Sequence, residues 1–168
     1  MAKLEVLPKR LEILEIGDNE SEFRINIDVL NEAFGVGRAM FAKAVYPDKK
    51  NTEIPGTKQG DRFIIWMPKL YGNSSEWKNV ISEDGSEIYE VAEGSRTEDW
   101  IKEDTDMEVL RIVFAKETAK SPYRFVGVFK SGEIEFCKHT YCRIATKARV
   151  IGNPVKKIEL LDDNRLFD

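Results

Sequence analysis

The run Asp61–Met67 (DRFIIWM), closed by Pro68, limits the fold of this chain more than any other segment. It is nearly continuous in apolar, β-branched and aromatic residues, is bounded by turn formers, and is too short for a core helix. It therefore reads as a strand covered on both faces. Pro68 has no N–H to give a ladder, which ends the run. Tyr123–Lys130 (YRFVGVFK) has the same apolar density. Both runs are expected to be mostly buried and to share one sheet.

Other segments supply neighbours for that sheet. Leu11–Ile16 (LEILEI) and Phe23–Ile27 (FRINI) read as half-buried strands separated by a turn, GDNESE. From Asp28, a good N-cap, to Tyr46, apolar residues recur at helical spacing, which predicts one helical region broken at Gly35–Gly37. Asn51–Gly60 is a loop by its Pro, Gly and polar content. Residues 70–106 are rich in Gly, Ser, Asp and Glu and read as loop, although Tyr71, Trp77, Tyr89 and Trp100 argue against disorder. Glu108–Ala115 and Thr140–Ile151 are further strands, and Ser131–Gly132 allows a tight hairpin after the YRFVGVFK run. Short strands with one helical region give an α+β class with a mainly antiparallel, barrel-like sheet.

A chain of 168 residues is about one domain long. At this size a core of 42% hydrophobic residues is sufficient without disulfides or metals. The expectation is a single domain, 1–168: N-terminal strands and helical region (1–57), a barrel (58–157) and an acidic C-terminal tail (158–168). Two cysteines, no apolar run long enough for a membrane span and a charged start point to the reducing cytoplasm, with no membrane partner. The single histidine excludes mechanisms and metal sites that need two, HExxH sites among them.

The formal net charge of −4 is mild but unevenly spread. Residues 76–108 carry three basic and 12 acidic groups, whereas residues 109–157 carry 11 and three. Sorted charge of this kind either makes a field at one face or is neutralised by pairing of the two blocks across the fold.

Two constellations stand out as candidate binding groups. Trp66, Tyr71, Trp77, Tyr89 and Trp100 cluster in or beside polar loops. With Asn73, Asn79 and Ser82 as edge-reading groups they have the equipment to hold an unstacked base, or else they plug one end of the barrel as satellite core. In the last long strand, period-2 alternation puts Tyr141, Arg143, Lys147 and Arg149 on one face, where three cations could follow backbone phosphates or form an ordinary solvent face. Cys137, His139 and Cys142 have a metal-like spacing, but no fourth Cys or His completes a tetrahedral site, so no metal is expected. Gly35-Val36-Gly37 lacks the third glycine of a phosphate loop and reads as a helix break. Glu133, Glu135 and Lys138 could make the acidic and lysine set of a metal-dependent nuclease, the minor alternative.

Three segments together resemble the PUA-like superfamily, the small barrels that include PUA, ASCH, EVE, YTH and SRA modules: Lys58–Trp66 (KQGDRFIIW), Tyr123–Phe129 (YRFVGVF) and Thr140–Ile144 (TYCRI). Trp77-Lys78-Asn79, Asp84-Gly85 and Ile88-Tyr89-Glu90 add a likeness to PUA-like regions attached to bacterial restriction endonucleases. The resemblance implies a non-catalytic, cofactor-free nucleic-acid reader of a bacterial or phage defence or restriction system. Its partner would be DNA ahead of RNA, with a modified or flipped base in a pocket of Trp66, Tyr71, Trp77, Asn79 and Trp100. Arg124, Arg143, Lys147 and Arg149 would meet phosphates. The alternative is a protein-interaction module, an inhibitor or adaptor that uses the acidic segment 76–108.

Overall fold

A computed structural model describes residues 12–35, 44–45, 62–72, 77–94, 109–152, 155 and 157–163. Among the described residues eleven strands form two sheets. The larger has the order β3 (Ala44–Val45), β4 (Arg62–Trp66), β7 (Val109–Lys116), β8 (Tyr123–Ile134), β9 (Lys138–Ala145), β6 (Glu87–Ala92) and β5 (Trp77–Ile81), with β2 (Glu22–Phe23) alongside the start of β8. The smaller is β1 (Ile13–Glu15), β10 (Lys147–Ile151) and β11 (Lys157–Leu160). Among the described strands every pairing is antiparallel except β4 with β7, and the bridge Lys69–Lys116 beyond β4 is also parallel. A short helix α1 (Asn26–Asp28) runs into a π-turn at Val29–Ala33.

The α+β, mainly antiparallel class holds, and both apolar runs are buried strands of one sheet: Phe63 to Met67 and Phe125 to Phe129 are covered throughout. The barrel does not close among the described residues, because the ladder runs from β3 to β5 and stops. No described helix is long and apolar enough to cross a membrane. Ile158 is buried, and β11 pairs with β10.

Several local expectations need correction, the loop reading of residues 70–106 among them, since Trp77–Ile81 and Glu87–Ala92 are strands. Only Asp28–Ala33 of the predicted helical region is helical within the described residues; the helix starts at Asn26, inside the expected strand Phe23–Ile27, of which only Phe23 is strand, and Gly35, at φ 64°, turns the chain out of it. Ala44 and Val45 are strand, paired with Trp66 and Ile65. Position 132 is not a turn: β8 continues through it, and the hairpin closes at Phe136–Cys137, where the Glu135 N–H donates to the Lys138 carbonyl at 2.7 Å. Finally, Thr140–Ile151 is not one strand. It breaks at Thr146, whose N–H and hydroxyl both donate to the Asp162 carboxylate, and the chain passes from the large sheet to the small one. The acid side chain supplies the partners that ladder neighbours would otherwise give.

The two faces of the large sheet carry different cargo. One face packs Phe63, Ile65, Leu110, Ile112, Phe114 and Phe125 against Leu14, Ala148, Val150 and Ile158 of the small sheet and against Val29, Leu30 and Phe34 of the helical turn. Phe114 meets Phe23, Phe34 and Phe125 with ring centroids 5.8, 5.8 and 5.5 Å away. The other face carries a second cluster around Trp66, Ile88, Val113, Phe129 and Tyr141.

A bulge in β8 shapes this second face. The β7–β8 register shifts between Val113 and Phe114, so that Val126 and Gly127 together oppose Val113. Gly127 sits at φ 126°, and a Cβ there would lie 2.5 Å from Arg143 Cδ and 2.8 Å from the Ala145 carbonyl oxygen. Both backbone conformation and space demand glycine. Gly127→Ala is expected to cost about 1–3 kcal/mol of stability, read as a lower urea midpoint with an unchanged slope.

Candidate nucleic-acid interface

Arg111 organises the second face. It is the one charged residue in the apolar run of β7, and its side chain is 11% exposed. Its guanidinium carbon lies 4.8 Å from the Trp66 ring centroid and 4.3 Å from that of Tyr141, and Nη1 is 3.6 Å from Glu90 Oε1. A cation taken out of water needs a matching anion and good contacts. A flat, weakly hydrated guanidinium can stack on rings while facing a carboxylate, which an ammonium does poorly.

The same contacts reveal the curvature. Trp66 is on β4 and Tyr141 on β9, three strands apart in the order β4, β7, β8, β9. In a flat sheet their backbones would be roughly 14 Å apart. Their ring centroids are 5.1 Å apart. The sheet curls, and the face that carries these rings is concave.

A row of polar side chains crosses this face. Asn79 pairs with Glu90 between β5 and β6, and Glu90 pairs with His139 between β6 and β9, which puts all three on one side. His139 is fully buried, its ring 4.0 Å from Tyr141 at 31°, and its Nε2 is 2.7 Å from Ser131 Oγ. Asn79 Oδ1 is buried and meets no hydrogen-bond donor among the described residues. Trp77, two residues before Asn79 on β5, is half-buried on the same side as both.

Arg143 lies further along this face, paired through Phe129 with Arg111. Its stem crosses Gly127, and its Nη1 is 2.9 Å from where a Cβ of Gly85 would be. Gly85 belongs to the β5–β6 turn, where Asp84 Oδ1 accepts from Ser82 Oγ at 2.9 Å, Ser86 N–H at 3.0 Å and Ser86 Oγ at 2.7 Å. Those bonds, from Ser86 foremost, with a smaller contribution from the Arg143 charge, hold the Asp84 carboxyl down at about 2.

The sequence-predicted groups divide accordingly. Trp66, Trp77 and Asn79 share the concave face, but Trp66 is buried in the second cluster beneath Arg111. Tyr71 lies past the end of β4, near enough to Tyr123 for the two groups to interact. Trp100 lies outside the described residues. The cations do not form the expected line: Arg143 is on the large sheet, whereas Lys147 and Arg149 are on the small one. Lys147 stands opposite Glu15, Arg149 is 3.4 Å from Glu159, and Arg124 is 3.0 Å from Glu22 and 3.6 Å from Glu117. His139 faces inward while Cys142 is exposed, so Cys137, His139 and Cys142 do not converge, and no described group of three or more His, Cys, Asp or Glu could hold a metal. No part in a nucleic-acid interface was expected of Arg111, Glu90, His139 or Ser131 from the sequence. The signal was present: a single arginine inside LRIVFA, and a glutamate inside IYEVA, are ionisable groups in strands too apolar to be solvated.

Removing Arg111 takes from the buried Glu90 carboxylate the guanidinium 3.6 Å away. Arg111→Ala is therefore expected to cost about 3–5 kcal/mol, and Glu90→Gln in the same background should recover part of it, measured as a double-mutant cycle of urea midpoints. A carboxyl held below its ordinary 3.8 supports its surroundings above that value and loses the effect as pH falls through about 2. The Asp84 carboxyl carbon should accordingly titrate by NMR with a midpoint near 2, and Ser82→Ala with Ser86→Ala should return it toward 3.8.

Comparison with known proteins agrees with this architecture. No curated protein matches the sequence. Among solved structures, the fold is similar to that of the 5-hydroxymethylcytosine-specific restriction enzyme AbaSI, with a TM-score of 0.64 and 22% sequence identity. That similarity covers 82% of this chain and 42% of the enzyme, so the chain spans less than half of that protein's length. The profile of the SRA (SET and RING associated) domain matches residues 12–150, most of the sequence, and the chain belongs to the SRA domain family.

Proposed function

We propose that this protein is a non-catalytic DNA-binding module that recognises a modified cytosine turned out of the duplex, within a bacterial or phage restriction or defence system. The observation that carries the reading is the SRA family membership over residues 12–150. The similarity in fold to an enzyme named for 5-hydroxymethylcytosine specificity adds support.

The concave face suits the task. Trp77 offers a half-buried ring for stacking at the rim of β5. Asn79 Oδ1 is a buried acceptor that no described donor meets, and Glu90 is a carboxylate beside it. Both are of the type that accepts from the exocyclic amino group of cytosine. Trp66 and Tyr141, clamped by Arg111, form the floor under this row. Arg143 is the cation placed on the same face for a flanking phosphate, with Arg124, Lys147 and Arg149 serving more weakly from outside it. Tyr71 and Trp100 complete the set of candidate stacking rings. The cleavage activity in the AbaSI name is not carried over, because this chain corresponds to a minority of that enzyme.

The reading is tested with three duplexes of one sequence carrying cytosine, 5-methylcytosine or 5-hydroxymethylcytosine, titrated at low salt by fluorescence anisotropy. A modified duplex should bind more tightly than the plain one. Trp77→Ala should cost about 1–3 kcal/mol of that affinity and leave the melting temperature nearly unchanged. Equal affinity for all three duplexes, or no binding, would favour the protein-interaction alternative.

A further inference from the structure

Arg143 is held with unusual care for a cation at a rim. Its aliphatic stem crosses the β8 bulge where only glycine fits, and its guanidinium ends against Gly85, where a Cβ would be 2.9 Å from Nη1. Its backbone N–H donates to the Ser86 carbonyl at 2.8 Å, which ties β9 to the same turn. Two glycines from distant parts of the chain thus form a slot, and the slot points the guanidinium at the residue after Asp84.

Asp84 is held with equal care. Three hydrogen bonds from Ser82 and Ser86 converge on Oδ1, and the Gly85 N–H closes the turn on the Ser82 carbonyl at 2.9 Å. The carboxylate is exposed, and its other oxygen is left for solvent or a neighbour. Arg124 and Arg149 meet their carboxylates directly, at 3.0 and 3.4 Å. Asp84 acts on Arg143 through its field, while its hydrogen bonds go to the serines.

We propose that Asp84 is an electrostatic brake on the Arg143 phosphate contact: a fixed carboxylate that partly cancels the guanidinium's charge and limits how tightly the module holds any DNA backbone. The proposal rests on the DNA-binding reading above. Its chemical logic is that of a reader that must release plain duplex. A phosphate reaching Arg143 approaches a carboxylate of its own sign, so backbone contact alone gains little, and binding depends on the base site. Because the Asp84 carboxyl is held at about 2, the brake is charged throughout the neutral range.

The test is a cycle of Asp84→Asn and Arg143→Ala, titrated against plain and 5-hydroxymethylcytosine duplexes at several salt concentrations. Asparagine keeps the oxygen that caps the turn and loses only the charge. Asp84→Asn should tighten binding to both duplexes by about threefold at low salt, the size expected for two unit charges a few ångströms apart in water. In the Arg143→Ala background the same change should do almost nothing. Glu83→Gln, in the same turn, should do less than Asp84→Asn. Equal tightening with and without Arg143, or equal tightening by Glu83→Gln, would overturn the brake while leaving the DNA reading in place. Absence of duplex binding by every form, wild type included, would remove the DNA reading and the brake with it. Should Asp84→Asn lower the melting temperature, Asp84→Ser, which retains a capping oxygen, gives the same comparison.

Discussion

A guanidinium on the covered face of a β-sheet has to be met by partners from several strands at once, and the concave side of this protein is arranged around that need. Arg111 comes from β7, its two rings from β4 and β9, and its carboxylate from β6. None of β4, β6 and β9 neighbours another of the set except β6 with β9. Satisfying one cation therefore draws together strands that hydrogen bonding alone would leave far apart, and the curl of the sheet is the geometric result. The parallel pairing of β4 with β7 places Trp66 within reach, since it sets Ile64 beside Arg111 and Trp66 two positions further on. The bulge at Val126–Gly127 contributes in the same direction, because bulges increase local twist.

Charge sorting along the chain becomes charge pairing in space. The acidic block supplies Glu90 to Arg111 and Asp84 to the neighbourhood of Arg143, while Tyr89 lies under Lys138 Nζ at 4.4 Å. The reason is topological: the β5–β6 hairpin, which holds the acidic residues, docks on β9 of the basic block and not on β7, which follows it in sequence. On the small sheet, Glu15 and Glu159 flank Lys147 and Arg149 on either side of β10. Between the two blocks the described residues make the direct pair Arg111–Glu90, whereas Arg124 and Arg149 meet Glu22, Glu117 and Glu159, which lie outside residues 76–108.

The apolar runs around Ile64 and Val126 were legible because burial on both faces leaves a composition that few other environments tolerate. Positions decided by tertiary contacts were not. Ser131-Gly132 has the residues of a turn, yet β8 continues through it, because Ser131 pairs with Tyr141 and bonds His139. Phe136–Cys137, with no turn formers, closes the hairpin. Trp77–Ile81 and Glu87–Ala92 looked like loop by composition, and only the alternation of Ile88, Glu90 and Ala92 against a buried face marks them as strands. The break at Thr146 depends on Asp162, sixteen residues later. Of the candidate site, Trp77 and Asn79 were readable as a ring and an amide in a polar stretch. Glu90 and Arg111 needed the recognition that an ion inside an apolar strand must have a partner.

The pairing of charges bears directly on how discrimination could arise. A module with a net charge of −4, whose Arg124 and Arg149 already touch carboxylates and whose Arg143 is shadowed by Asp84, draws little attraction from a polyanion. On the proposed reading, counterion release, which gives most DNA-binding proteins a large sequence-independent affinity, is correspondingly small. What remains is the concave face, where a ring, a buried acceptor and a carboxylate stand within one row over a rigid floor. If little free energy comes from the backbone, nearly all of it must come from the base, so plain duplex, which leaves that face empty, is held weakly. Selectivity on the proposed reading is then a consequence of suppressing non-specific contacts as much as of making specific ones.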